Sequence, residues 1–234
     1  PVWTHIFGDM LQGNQLVRYD ARGNGLSDWN VTDYSLNRQV EDLEAVVAAT
    51  GLEPCPLLGM SHGAAISIAY AARHPERVTK LILACGFAQG WRHAGRDMRE
   101  QSEAMLTLIR TGWGQDNPAF RQIFSALFTP SAPPENQDAF NEMQKIATSP
   151  ANAAALFSTL GDIDVRDCLG EVQAPTLVIN ATRDMRVPLA AGRELASGIP
   201  GARFVMLETD NHVIPASDPA WATCYRAIHD FLAE

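Results

Sequence analysis

Apolar positions fall along the chain in two rhythms. Short runs rich in Val, Leu and Ile, bounded by turn residues, occur at Gln15 to Tyr19, Pro56 to Gly59, Lys80 to Ala84, Thr176 to Asn180 and Arg203 to Leu207. Runs of this length without polar alternation predict strands covered on both faces. Between them apolar residues recur at helical spacing. Leu36, Val40, Leu43 and Val47 do so across Asp33 to Thr50, an Ala-rich stretch runs from Gly63 to Arg73 and stops before Pro75, and Trp221, Tyr225, Ile228 and Phe231 mark a last helix over Pro219 to Leu232. This alternation predicts an α/β fold, a mostly parallel sheet with helices on both faces, with the last helix packed on the sheet.

From Phe87 to Val165 the alternation stops. Helical patterns over Met98 to Arg110, Ala119 to Phe128 and Asn136 to Ala147 follow one another with no convincing strand, separated by the breakers Gly112-Trp113-Gly114 and Pro130-Ser131-Ala132-Pro133-Pro134. The chain therefore reads as residues 1–86, a first part of the core; residues 87–165, a helical cap inserted into it; and residues 166–234, a second part of the core.

Composition narrows the function classes. With 234 residues, 46% of them hydrophobic, the chain can bury a sizeable core without disulfides or metal staples. Its 18 basic residues against 27 acidic ones leave a net charge of −9 and no basic run, which argues against nucleic acid or an anionic membrane as partner. The four cysteines, Cys55, Cys85, Cys168 and Cys224, show neither Cys-x-x-Cys nor finger spacing, so reduced thiols are expected and neither a metal nor a cofactor is called for. No apolar run approaches the roughly 20 residues of a membrane span. Pro1-Val2-Trp3-Thr4-His5 has no basic n-region or apolar h-region, which makes the cytoplasm the default location and leaves the acceptor patterns at Asn30 and Asn180 as chance matches.

Gly59-Met60-Ser61-His62-Gly63 follows the Pro56 run directly and opens the Gly63 to Arg73 helix. A G-x-S-x-G at a strand-to-helix junction is the context of a nucleophile elbow, in which small residues permit a sharp, strained turn that lifts the serine hydroxyl above the sheet. The bland alternative is a tight turn that needs small residues. A serine nucleophile requires a base and an orienting acid, in the chain order Ser, Asp or Glu, His. Asp184 follows the Thr176 run, and His212 follows the Arg203 run. Parallel strands end on one rim, so Ser61, Asp184 and His212 can converge there as a catalytic triad. Asp210 and Asp162 are alternatives for the acid; Asp210 lies so near His212 that it would compete for the same loop rather than approach from the neighbouring strand end, so Asp184 is preferred. Among the six histidines, His5, His74 and His229 read as packing or surface residues, and the side chain of His62 leaves the elbow in a poor position for a base. The backbone N–H of His62 is the expected first donor of an oxyanion hole.

On these motifs the chain resembles an α/β-hydrolase-fold serine hydrolase over nearly its whole length. Tyr19-Asp20-Ala21-Arg22-Gly23-Asn24-Gly25-Leu26-Ser27-Asp28 resembles that family's D-x-R-G-x-G-x-S turn, and Ala174-Pro175-Thr176-Leu177-Val178-Ile179 the A-P-T-L-V-I lead into its acid strand. Two further stretches, Ala71 to Val78 and Gly198 to Phe204, look like bacterial hydrolase domains sometimes fused behind helix-turn-helix or nucleotide-cyclase modules. In the family a strand and an H-G loop precede the first of these motifs; that strand lies between the strands at Gln15 and Pro56, and the loop gives the second oxyanion donor. The resemblance implies that these N-terminal strands are missing from this chain.

The expected chemistry is hydrolysis of a carboxylic ester or related acyl compound through an acyl-enzyme. Cap aromatics, with Trp91, Trp113 and Phe124 as pocket candidates, suggest a small, largely apolar substrate, although aromatics at helical spacing are often simply core. The alternative is a non-catalytic, ligand-sensing domain of a regulatory protein. A homo-oligomer and a regulatory module fused upstream both stay open.

Overall fold

The computed structural model describes residues 3–234. Four strands, β1 (Cys55–Met60), β2 (Val78–Ala84), β3 (Thr176–Ala181) and β4 (Arg203–Leu207), pair in parallel in the order β1-β2-β3-β4. The helices of the core are α1 (Thr4–Met10), α2 (Leu36–Thr50), α3 (His62–Arg73), α8 (Arg166–Leu169), α9 (Leu189–Gly198) and α10 (Ala220–Ala233). Those of the insertion are α4 (Arg96–Gly112), α5 (Ala119–Phe128), α6 (Pro134–Ala147) and α7 (Pro150–Leu160).

Successive side chains of a strand point to opposite faces, and here each face has its own core. Leu81, Leu83 and Val178 pack with α2, α3, α8 and α9, whereas Ile82, Leu177 and Ile179 pack with α1 and α10. All six residues of β3 are buried, as its unbroken apolar run predicts. Ser35 caps α2 by accepting from Arg38 N–H, and Gly51 ends that helix in the left-handed region at φ 63°.

One predicted strand does not form. Gln15 to Tyr19 is an exposed segment without regular secondary structure and without a ladder partner. It lines one side of an apolar cavity of about 440 Å³, with Leu57, Leu58 and Met60 of β1 also on the wall. A strand exists only through its neighbours' N–H and C=O groups, and across this space there is none within reach. In the cap, Pro134 opens α6 as its first residue instead of only breaking the chain, because a first-turn N–H has no helical partner to lose. Four helices, α1, α7, α8 and α9, go beyond the sequence reading. No helix among the described residues is long and apolar enough to cross a membrane.

The cap leaves and rejoins the core through one short paired crossing. Gly90 N–H donates to Ile163 C=O at 2.8 Å, Val165 N–H donates to Ala88 C=O at 2.9 Å, and Gln89 bridges Asp164. A second tie comes from the Asp20 to Asp28 turn. Gly25 N–H donates to Ala147 C=O at 2.7 Å and Thr148 Oγ1 to Gly23 C=O at 2.7 Å, so the ends of α6 and α7 rest on this turn. Arg22 holds it to α2 with two bonds of 2.7 Å to the Asp42 carboxylate. Gly25, at φ 54°, has no room for a side chain: a Cβ would lie 2.3 Å from the Asp20 carboxylate.

Candidate active site

Ser61 stands between β1 and α3 with φ 54° and ψ −122°, a left-handed backbone that a non-glycine residue adopts only when its surroundings enforce it. Its N–H donates to Ala84 C=O at 2.9 Å, which ties the turn to the end of β2. Gly59 permits the approach of α3, since a Cβ there would meet Gly63 C=O at 2.5 Å and Ser67 Oγ at 2.6 Å. The two motif glycines are not equivalent. A Cβ on Gly63 would touch nothing within 4 Å, so only the first is demanded by packing.

Asp184 and His212 meet as buried partners. His212 Nδ1 lies 2.7 Å from Asp184 Oδ2, and Asp184 Oδ1 accepts the backbone N–H groups of Arg186 at 2.7 Å and Val187 at 2.9 Å. With no proton of its own to give, the carboxylate fixes the imidazole proton on Nδ1, which leaves Nε2 as the basic nitrogen. The His212 loop is held from above by the cap: the N–H groups of His212 and Val213 both donate to Phe128 C=O, at 2.9 and 3.0 Å. It is held from below by Asp218, which accepts from Thr209 Oγ1 and Asn211 Nδ2. Met60, one residue before Ser61, packs with Phe140 and Val213, one residue after His212, which brings the elbow and the histidine loop into one cluster.

The third link is open. His212 Nε2 is buried without a hydrogen-bond partner, so the bond expected from Ser61 is not made in this structure. Such bonds commonly tighten only when substrate arrives. The other two candidate acids are engaged elsewhere: Asp210 accepts from Ser131 Oγ at 2.7 Å, and Asp162 pairs with Arg92 at 2.6 Å.

Cys85 is a neighbour that the sequence reading did not single out. It has φ 48° at the end of β2, and its Sγ lies within 4.8 Å of ligand atoms of both Asp184 and His212. Cys85, Asp184 and His212 are the one trio of the described residues with metal-ligating atoms so grouped. Yet the 2.7 Å between Asp184 and His212 is a hydrogen-bond distance, shorter than the roughly 3.3 Å between tetrahedral ligands at zinc bond lengths. Burial, reinforced by the Asp184 charge, pushes the Cys85 thiol up, which keeps it protonated and non-nucleophilic.

The His62 side chain turns away from this centre. Its Nε2 is 2.6 Å from Gln39 Oε1, while Gln39 Nε2 donates to Tyr34 C=O at 2.8 Å. The amide is thereby oriented, and His62 must carry its proton on Nε2. Its backbone N–H, first in α3, has no intrahelical acceptor. Burial holds the ring down at about 4. Below pH ~6.5 the unfolded chain takes up a proton that the folded chain refuses, so stability falls by up to about 1.4 kcal/mol per pH unit from there down to pH ~4. Above pH ~6.5 His62 adds no slope. Urea unfolding at pH 7.5, 5.5 and 4.5 should show His62→Gln losing less stability in acid than the parent, by roughly one proton's slope. Parallel losses would refute this assignment.

The three pocket candidates build the cap's interior. Trp91 stacks on Phe157 at 6.0 Å and donates Nε1–H to its C=O, and Trp113 meets Phe124 edge-on at 5.3 Å. The aromatic ring that reaches the centre is Phe128, edge-to-face with His212 at 5.2 Å. Helical spacing relates only Phe124 and Phe128, both on α5, and which of the two reaches the centre depends on where α5 ends.

An alpha/beta hydrolase fold family model matches residues 2–219. The chain belongs to that family. Among the hydrolases it resembles, "Putative carbamate hydrolase RutD" of Pseudomonas savastanoi pv. phaseolicola is 24% identical over 233 residues, spanning 98% of this chain and 88% of that protein. The protein of the same name from Azorhizobium caulinodans is 27% identical, spanning 93% and 81%. In structure, the esterase EaEST of Exiguobacterium antarcticum matches with a TM-score of 0.85 at 23% identity over 100% of this chain and 87% of that one. These likenesses carry the hydrolase fold and support hydrolase activity.

Proposed function

We propose that this α/β hydrolase is a serine hydrolase that cleaves a carboxylic ester or a related acyl compound, carbamates included, through Ser61, His212 and Asp184. The observation that carries the reading is the buried Asp184–His212 pair, whose remaining ring nitrogen is unspent, in a loop whose Val213 packs in one cluster with Met60, the residue before the strained Ser61. A purely structural histidine would have found a partner for that nitrogen.

In this mechanism His212 Nε2 takes the Ser61 proton as Oγ attacks the acyl carbon, and Asp184 stabilises the imidazolium. The same nitrogen returns the proton to the leaving group, and water, deprotonated in turn by His212, releases the acid. The His62 N–H, at the positive end of α3, stabilises the oxyanion. The carbamate name of the relatives suits this centre, because a carbamoyl carbon presents the same trigonal electrophile.

A fluorophosphonate probe tests the reading. It should label the parent chain and not Ser61→Ala, with both equally folded by circular dichroism. An unlabelled, folded parent would favour a ligand-sensing domain without turnover.

A further inference from the structure

Arg186 stands out among the arginines. It lies two residues beyond Asp184, and its backbone N–H is one of the two that hold the Asp184 carboxylate. The guanidinium extends into the seam between core and cap, 5.3 Å from the centroid of Phe128 and 5.8 Å from that of Phe157. Phe128 is the same ring that meets His212 edge-on. Arginines elsewhere that leave water find acceptors: Arg22 has Asp42, Arg92 has Asp162 and Ser158, and Arg121 has the carbonyls of Trp113 and Asn141. The guanidinium of Arg186 makes no hydrogen bond or ion pair among the described residues, and burial pushes it down against only the Asp184 charge. Its nitrogens are still not sealed off from solvent, since none belongs to the fully buried atoms without a partner.

Removing a cation from water without an acceptor is costly, and two ring faces return only part of that cost. The rings leave the edge of the guanidinium, where its five donors lie, unspent. That planar fork fits a carboxylate in two parallel bonds. We propose that Arg186 is a substrate-binding residue that receives a carboxylate, so that the acyl compounds this site takes carry a second, anionic group close to the scissile bond. This rests on the serine-hydrolase reading above and narrows its largely apolar substrate to an amphiphilic one, with Phe128 facing the carbon skeleton and Arg186 the charge. A net charge of −9 makes such a local cation the means of admitting an anion.

The test compares p-nitrophenyl butyrate with p-nitrophenyl hemisuccinate, the second of which ends in a carboxylate where the first ends in a methyl group. The parent should favour the hemisuccinate. Arg186→Met, which keeps an apolar stem against the two rings, should lower kcat/KM for the hemisuccinate about 10- to 100-fold, chiefly through KM, and move butyrate only a few-fold. Arg186→Lys should recover part of the loss. Equal losses on both esters would make Arg186 a latch between core and cap and overturn the proposal, as would a parent that prefers butyrate. Calorimetric titration with monomethyl succinate separates this from the reading beneath it. Binding by the parent that Arg186→Met abolishes supports the carboxylate site even if Ser61 resists the fluorophosphonate. A labelled Ser61 with no such binding leaves the hydrolase and removes the site.

Discussion

Asp184→Asn is expected to leave the fold intact and to reduce acyl turnover by about 10⁴-fold, the scale of loss when a triad acid becomes an amide. The direction follows from the hydrogen bonds. Asp184 Oδ1 accepts two backbone N–H groups, of Arg186 and Val187, and an amide oxygen would take over that duty. The amide nitrogen must then occupy the Oδ2 position, 2.7 Å from His212 Nδ1. An N–H there requires a lone pair on Nδ1, which moves the imidazole proton to Nε2, the nitrogen that has to accept from Ser61. The histidine would be held in place in the wrong tautomer. Asp210→Asn is the control, because Asp210 serves Ser131, and it should change turnover only a few-fold. Steady-state hydrolysis with thermal melts on both variants decides the matter. A large loss confined to Asp210→Asn would reassign the acid.

The second large effect is expected where the cap joins the core. A Cβ on Gly90 would lie 1.9 Å from Leu160 C=O and 2.6 Å from Gly161 C=O. The φ of Gly90, −73°, suits alanine, so the penalty is steric alone and falls on backbone atoms that no side-chain rotamer can relieve. Gly90→Ala should cost about 3 kcal/mol or more, a fall in Tm of roughly 6–12 °C. It should also impair turnover, because α5 in the displaced cap supplies the carbonyl that holds the His212 loop. Gly95→Ala, at φ −60° with nothing within 4 Å of its Cβ, should melt close to the parent. A Gly90→Ala protein as stable as Gly95→Ala would show the crossing to be loose.

Why the two tests fall on different parts of the molecule follows from how the site is assembled. Ser61 and Asp184 are placed by strand ends, held by the ladder bonds of β1 to β2 and of β3 to both its neighbours. His212 hangs on a longer loop and owes its position to Asp218 on one side and the Phe128 carbonyl on the other. Cap and core are thus coupled through main-chain bonds as well as through apolar contact.

Local pattern determined much of this molecule. Four of the five apolar runs are strands, but only β3 is covered throughout: the outer strands β1 and β4 leave Leu58 and Met206 exposed, against the expectation of cover on both faces. The serine turn was legible since a G-x-S-x-G between strand and helix leaves the backbone few conformations. Asp184 and His212 could be proposed because parallel strands deliver their ends to one rim. Tertiary structure decided the rest. Gln15 to Tyr19 has a strand's composition but no partner, and pairing is a property of two segments. Phe124 shares the helical period of Phe128 on α5, yet only the packing of α5 against the histidine loop makes Phe128 the ring at the centre. Arg186 reads in sequence as one charge in a turn. Its lack of a hydrogen-bonding partner, between two rings from separate helices, exists only once core and cap have closed on each other.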